Sequence, residues 1–151
     1  MTSRVTETPA PPPAEVHAHY AGRLARETDC YDVHEAMRAG RMDFVLVDVR
    51  SGEKYRESHV PGAIHMLVGK MTRHRLEAWP ADTLFVVYCA GPHCNGTDKA
   101  ALRLSELGRK VKVMIGGMTG WADEGYAFAQ GAEPGSVMAT GPTTFLRAAR
   151  T

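Results

Sequence analysis

Three cysteines in 151 residues, at positions 30, 89 and 94, are too few and too oddly counted for the disulfide framework of a small secreted domain. A reducing, cytoplasmic setting is the expectation. The chain also lacks an excess of either charge. With 18 Lys plus Arg against 17 Asp plus Glu, it has no basic field to gather nucleic acid or anionic lipid, so neither is an expected partner. No apolar run reaches membrane-spanning length, and the first residues, Arg4 and then Pro and Ala, lack the apolar stretch of a signal peptide. What is present, 44% apolar and 23% charged residues, suits one packed core at this length and is too little for two.

Prolines cluster at Pro9 and Pro11 to Pro13, where they deny the backbone a ladder of amide donors and leave little apolar surface to bury. Residues 1–13 therefore read as a flexible leader. From Ala14 the spacing of Val16, Tyr20 and Leu24 predicts an amphipathic helix that packs this stripe against the domain. Asp32 is the expected cap of a second helix through Val33, Ala36 and Met37, and Gly40 stands where helices end left-handed. Three runs, Phe44 to Val47, Leu84 to Tyr88 and Val111 to Ile115, are apolar almost throughout, as in strands covered on both faces. Between the last two, Asp98 to Leu107 reads as a helix with Ala100, Leu104 and Leu107 on one face, Thr97 as cap and Gly108 as stop. Such a β-α-β unit makes parallel neighbours, and chemistry in these sheets gathers at the carboxyl ends of strands. Cys89 stands at such an end. The domain is expected over residues 14–130, and residues 131–151, with Phe145 and Leu146 as anchors, read as a tail lying over the surface or disordered.

The informative segment is Cys89-Ala90-Gly91-Pro92-His93-Cys94-Asn95-Gly96, followed by Thr97 at the helix start. Two glycines and an Asn-Gly step permit positive φ, so successive amides can point inward as a concave nest, and the helix adds its unpaired N-terminal donors. Both favour an anion at the loop's centre. A thiol placed there is biased toward the thiolate, the reactive form, and a persulfide formed on it is an anion that the same donors can hold. The blander reading is a small buried cysteine at a strand end.

Leu46-Val47-Asp48-Val49-Arg50, Glu53 and His59-Val60-Pro61-Gly62-Ala63-Ile64 resemble the opening signature of rhodanese domains. Val86-Val87-Tyr88-Cys89 and Gly116-Gly117-Met118-Thr119-Gly120-Trp121 resemble their active-site strand and closing turn. The motifs stand in the family's order over residues 30–126. This resemblance implies an α/β fold with a five-stranded parallel sheet flanked by helices, and a catalytic Cys89. It implies transfer of sulfane sulfur from thiosulfate or a persulfide to cyanide, a thiol or a protein acceptor, with neither metal nor cofactor.

Around that core, Asp48 and Arg50 just past a strand end are expected as a structural ion pair, and the resemblance implies that His59, before the Pro61-Gly62 turn signal, is a hydrogen bonder that fixes a loop. Gly116 and Gly117 allow a tight turn beside the site, and Trp121 is expected as a lid over the core. Cys30 reads as a packing residue. Many rhodanese loops carry arginine at the fifth position after the cysteine; here it is Cys94, and His93 and Lys99 are the only nearby cations. Cys94 either fills the loop wall, the leading reading, or acts as a resolving thiol toward Cys89. A phosphatase is disfavoured because no arginine lies in the loop to neutralise a transferring phosphoryl group. Zinc on Cys89, His93 and Cys94 lacks a fourth ligand. The remaining alternative is a non-catalytic protein-binding or thiol-redox module.

Overall fold

The computed structural model describes residues 1–138. The elements run α1 (Pro13–Arg26), β1 (Glu27–Asp29), α2 (Cys30–Arg38), β2 (Val45–Asp48), α3 (Gly52–Glu57), β3 (Ile64–His65), α4 (Arg73–Leu76), β4 (Leu84–Tyr88), α5 (Gly96–Glu106), β5 (Lys110–Ile115) and α6 (Gly117–Asp123). A 3-10 turn, Val68–Lys70, precedes α4. All strand pairs are parallel, in the order β1-β5-β4-β2-β3. The strand that ends at Cys89, β4, is therefore the middle one.

Strand residues alternate between two cores. Leu46, Val86, Tyr88 and Met114 face a cluster with Val33 of α2 and Trp121 of α6, whereas Val47, Phe85 and Val87 face Leu76 of α4 and Leu104 of α5. Because both faces are covered, the strands are apolar on both sides, and each fully buried large side chain contributes about 1.5–3 kcal/mol. The expected β-α-β unit is β4-α5-β5.

Several local expectations are corrected. Asp29, not Asp32, caps α2, its side chain accepting from the Asp32 amide at 2.8 Å. The three preceding residues are extended as β1, so the cap falls where that strand ends. Thr97 is not the cap of α5, because the helix begins at Gly96 and Thr97 is already turned inward and buried. The stripe Val16, Tyr20 and Leu24 is not packed either: Tyr20 is 52% and Leu24 74% exposed, and α1 buries no residue. It lies against β1 and β5, where the sheet edge is only three residues deep and offers too little apolar surface; Lys112 Nζ donates to Leu24 O there at 3.2 Å. Trp121 is a fully buried core residue, its Nε1 donating to Ala127 O at 2.9 Å, rather than a lid. Gly40 and Gly108 do end their helices with positive φ, 71° and 75°.

After α6 the chain returns along His59, which exchanges backbone hydrogen bonds with Ala129 at 2.9 and 2.8 Å. Pro134 O accepts from the Gly62 amide at 2.8 Å. This first part of the expected tail thus runs over the surface as a strap, while Phe145 and Leu146 lie outside the described residues. No helix among the described residues is long and apolar enough to cross a membrane.

Candidate active site

Cys89 follows β4 directly, and the next residues turn back on themselves, the Cys94 amide donating to Gly91 O at 3.0 Å. That turn brings Cys94 over Cys89. Their sulfurs are joined as a disulfide with Cα atoms 6.3 Å apart, within the range of about 4.4–6.8 Å that such a bridge requires. The sequence left Cys94 as either a filler of the loop wall or a resolving thiol toward Cys89, and its sulfur stands within reach of Cys89. Cys89 is buried and Cys94 half-buried.

The loop does not form the nest expected of its glycines. Neither Gly91 nor Gly96 is among the positive-φ residues, and Asn95 has φ −91° and ψ 12°. These glycines are required for space instead. A Cβ on Gly96 would stand 3.0 Å from Cys89 Sγ and 3.5 Å from Cys94 Sγ, and one on Gly91 would stand 2.7 Å from Thr119 Oγ1. The α5 N-terminus follows the loop at once, and a helix start carries unpaired amide donors.

The turn between β5 and α6 forms the opposite wall. Gly116 and Gly117 both have positive φ, 88° and 55°, and a Cβ on Gly117 would collide with the Cys89 carbonyl oxygen. That carbonyl accepts from the Met118 amide at 3.1 Å, and Ala90 O accepts from the Thr119 amide at 3.0 Å. The first turn of α6 thus clamps the two residues that start the loop.

Between these walls is a cavity of about 200 Å³, lined by Cys89, Cys94, Pro92, Gly116 and the acidic residues Glu27 and Asp98, among others. Glu27, held by Arg23 at 2.8 Å, and Asp98, expected only as the first residue of a helix, were not among the expected site residues. Glu27 reaches the site only because β1 sits beside β5, and Asp98 only because α5 starts early. Neither fact leaves a local signal.

Asp48, Arg50, His59 and Lys99, the expected supporting residues, do not line this cavity. Asp48, fully buried, accepts from Arg50 Nη2 at 2.8 Å and from Arg50 Nε at 3.1 and 3.2 Å. Arg50 Nη2 also donates to Ser58 O at 2.6 Å, which makes the pair a tie between loops, as expected. His59 is buried with Nδ1 2.9 Å from Tyr55 O and Nε2 3.1 Å from Pro134 O, and its ring stacks on Tyr55 at 3.8 Å. It fixes α3 to the strap. His93 and Lys99 are exposed.

Cys30 lies beneath the Gly116 turn, its Sγ 3.6 Å from the carbonyl oxygens of Ile115 and Gly117. Burial first, and then the charges of Asp29, Glu124 and Asp123, push its thiol up to about 12. It is thus a protonated packing thiol.

The family model of the rhodanese-like domain matches residues 29–124. This chain belongs to that family. A solved structure of the BH2092 protein from Bacillus halodurans is 34% identical, with a TM-score of 0.76 over 80% of this chain and 88% of that one. Among curated relatives, the HTH-type transcriptional regulator Rv0324 of Mycobacterium tuberculosis is 34% identical over 93 residues, 62% of this chain and 41% of the regulator. The rhodanese-like chain thus spans less than half of that relative. The thiosulfate sulfurtransferase GlpE of Coxiella burnetii is 30% identical over 82 residues, 54% of this chain and 74% of the enzyme. The parallel five-stranded sheet flanked by helices is the fold the resemblance implied.

Proposed function

We propose that this rhodanese-like domain is a sulfurtransferase that carries one sulfane sulfur as a persulfide on Cys89. The observation that carries the reading is the placement of Cys89 at the carboxyl end of the middle strand, facing a cavity and the start of α5. A thiolate and a persulfide are both favoured at a helix N-terminus. Cys89 thiolate attacks the outer sulfur of the donor, the rest of the donor leaves as a thiolate from a persulfide or as sulfite from thiosulfate, and the bound sulfur then passes to cyanide, a thiol or a protein acceptor. The disulfide must be reduced before this cycle starts.

The proposed donor is a persulfide in preference to thiosulfate. Asp98 lines the cavity beside Glu27, whose charge Arg23 offsets at 2.8 Å, and Cys94 stands in the loop in place of an arginine, so a doubly charged donor meets the Asp98 carboxylate with no loop guanidinium to hold it. The test is the intact mass of reduced protein, acid-quenched soon after mixing with glutathione persulfide or with thiosulfate. The wild type gains one sulfur atom, faster from the persulfide, and Cys89→Ser gains none. Equal sulfur uptake by Cys89→Ser, or none by either the wild type or Cys94→Ser from either donor, refutes the reading.

A further inference from the structure

The cavity beside Cys89 holds a second sulfur whose position sulfur transfer alone does not require. Cys94 is folded back by the Gly91–Cys94 turn, Gly96 lacks the side chain that would crowd both sulfurs, and the two Sγ atoms meet. In an intramolecular pair held this way, a thiolate attacks far faster than a free thiol at ordinary concentration.

We infer that Cys94 resolves the Cys89 persulfide and that the domain is thereby a dithiol-dependent persulfide reductase, releasing sulfide. This rests on the Cys89 persulfide reading and assigns the fate of its sulfur. The Cys94 thiolate attacks Cys89 Sγ, a bond forms between the two cysteine sulfurs, and the bond from Cys89 Sγ to the outer sulfur breaks. The outer sulfur leaves with the electron pair and the persulfide's proton as hydrosulfide. Two cysteine sulfurs are oxidised to the disulfide, and the sulfane sulfur is reduced to sulfide. An external dithiol then reduces the Cys89–Cys94 disulfide by exchange and becomes a disulfide itself. The sum is donor persulfide plus dithiol giving donor thiol, hydrogen sulfide and oxidised dithiol.

Two features of the site agree with this direction. No arginine stands in the loop to hold the outer sulfur as a resident anion, and the Asp98 carboxylate at the cavity disfavours retention of a negative leaving group. Cys30 takes no part, because it is buried in the other core cluster from Cys89 and burial pushes its thiol up to about 12.

The experiment is a single turnover without added reductant. Pre-reduced protein is mixed with one equivalent of glutathione persulfide and desalted, then followed by sulfide release, intact mass and peptide mapping. The wild type is expected to release one sulfide per chain and to end as the Cys89–Cys94 disulfide without added sulfur. Cys94→Ser and Cys94→Ala are expected to keep the persulfide on Cys89, with sulfide release slower by a factor on the order of ten or more. Persulfide decay equal in the wild type and both variants, or sulfur recovered on Cys94 without sulfide, overturns the inference while leaving the Cys89 reading standing. Failure of the wild type and both Cys94 variants to take up sulfur overturns both.

Discussion

Tyr88 donates its hydroxyl hydrogen to the Asp48 carboxylate at 2.7 Å, joining the ends of two neighbouring parallel strands immediately before Cys89. The same hydroxyl oxygen accepts from the Val60 amide at 3.0 Å. Burial, and then Asp48, hold the Tyr88 phenol well above its usual range, so it remains a donor. Tyr88→Phe leaves the Val60 amide and one carboxylate oxygen short of partners and is expected to cost about 1–3 kcal/mol. Asp48→Asn strands the largely buried Arg50 guanidinium and is expected to cost about 3–5 kcal/mol. Urea unfolding with unchanged m-values measures both; losses under half a kilocalorie in either variant would show that the network does not hold the strand ends.

The two loop glycines and the Gly117 turn separate backbone strain from crowding. Gly117→Ala forces a side chain into φ 55° and onto the Cys89 carbonyl, and is expected to destabilise the domain by about 1–3 kcal/mol. Gly96→Ala carries no such strain, because its φ is not positive. Its Cβ meets both sulfurs, however. The fold is expected to survive while oxidative closure of the Cys89–Cys94 disulfide slows. Circular dichroism melts together with thiol counting after mild oxidation test this, and unaltered closure would contradict the crowding.

Cys30 sets an alkaline limit on stability. Its thiol is raised from 9.0 to about 12 in the folded protein, so above pH 9 the unfolded chain ionises this group and the folded chain does not. The folded state then binds more protons, and its stability falls as pH rises. The contribution is complete below pH 9 and is lost progressively toward pH 12. Tyr55, raised from 10.0 to about 12, chiefly by burial, adds to the fall only from its own higher starting point. In Cys30→Ala the decline between pH 9 and pH 10 is expected to be shallower, read as unfolding free energy against pH. An identical slope in both proteins would remove Cys30 as the cause.

The pattern of residue types placed the middle of the sheet and the thiol at its end. Leu84 to Tyr88 and Val111 to Ile115 are legible because strands buried on both faces must be apolar on both, and the helix between them because its buried face repeats with the helical period. That put Cys89 at a strand end, and the Asp48–Arg50 pair followed from two opposite charges just past another, whereas the role of His59 rested on the family resemblance. Tertiary structure alone decided the edges and the cavity. β1 is Glu27-Thr28-Asp29 and β3 is Ile64-His65, segments too short to show a period and held through backbone pairing to a neighbour. The exposure of Tyr20 and Leu24 was likewise invisible, since amphipathic spacing says that a helix has an apolar side and not that a surface exists to receive it. The loop glycines looked like hinges and prove to be spacers, because whether a glycine supplies a dihedral angle or an empty volume depends on what stands over it. At Gly96 that is Cys89 and Cys94, two sulfurs five residues apart whose meeting depends on the turn between them.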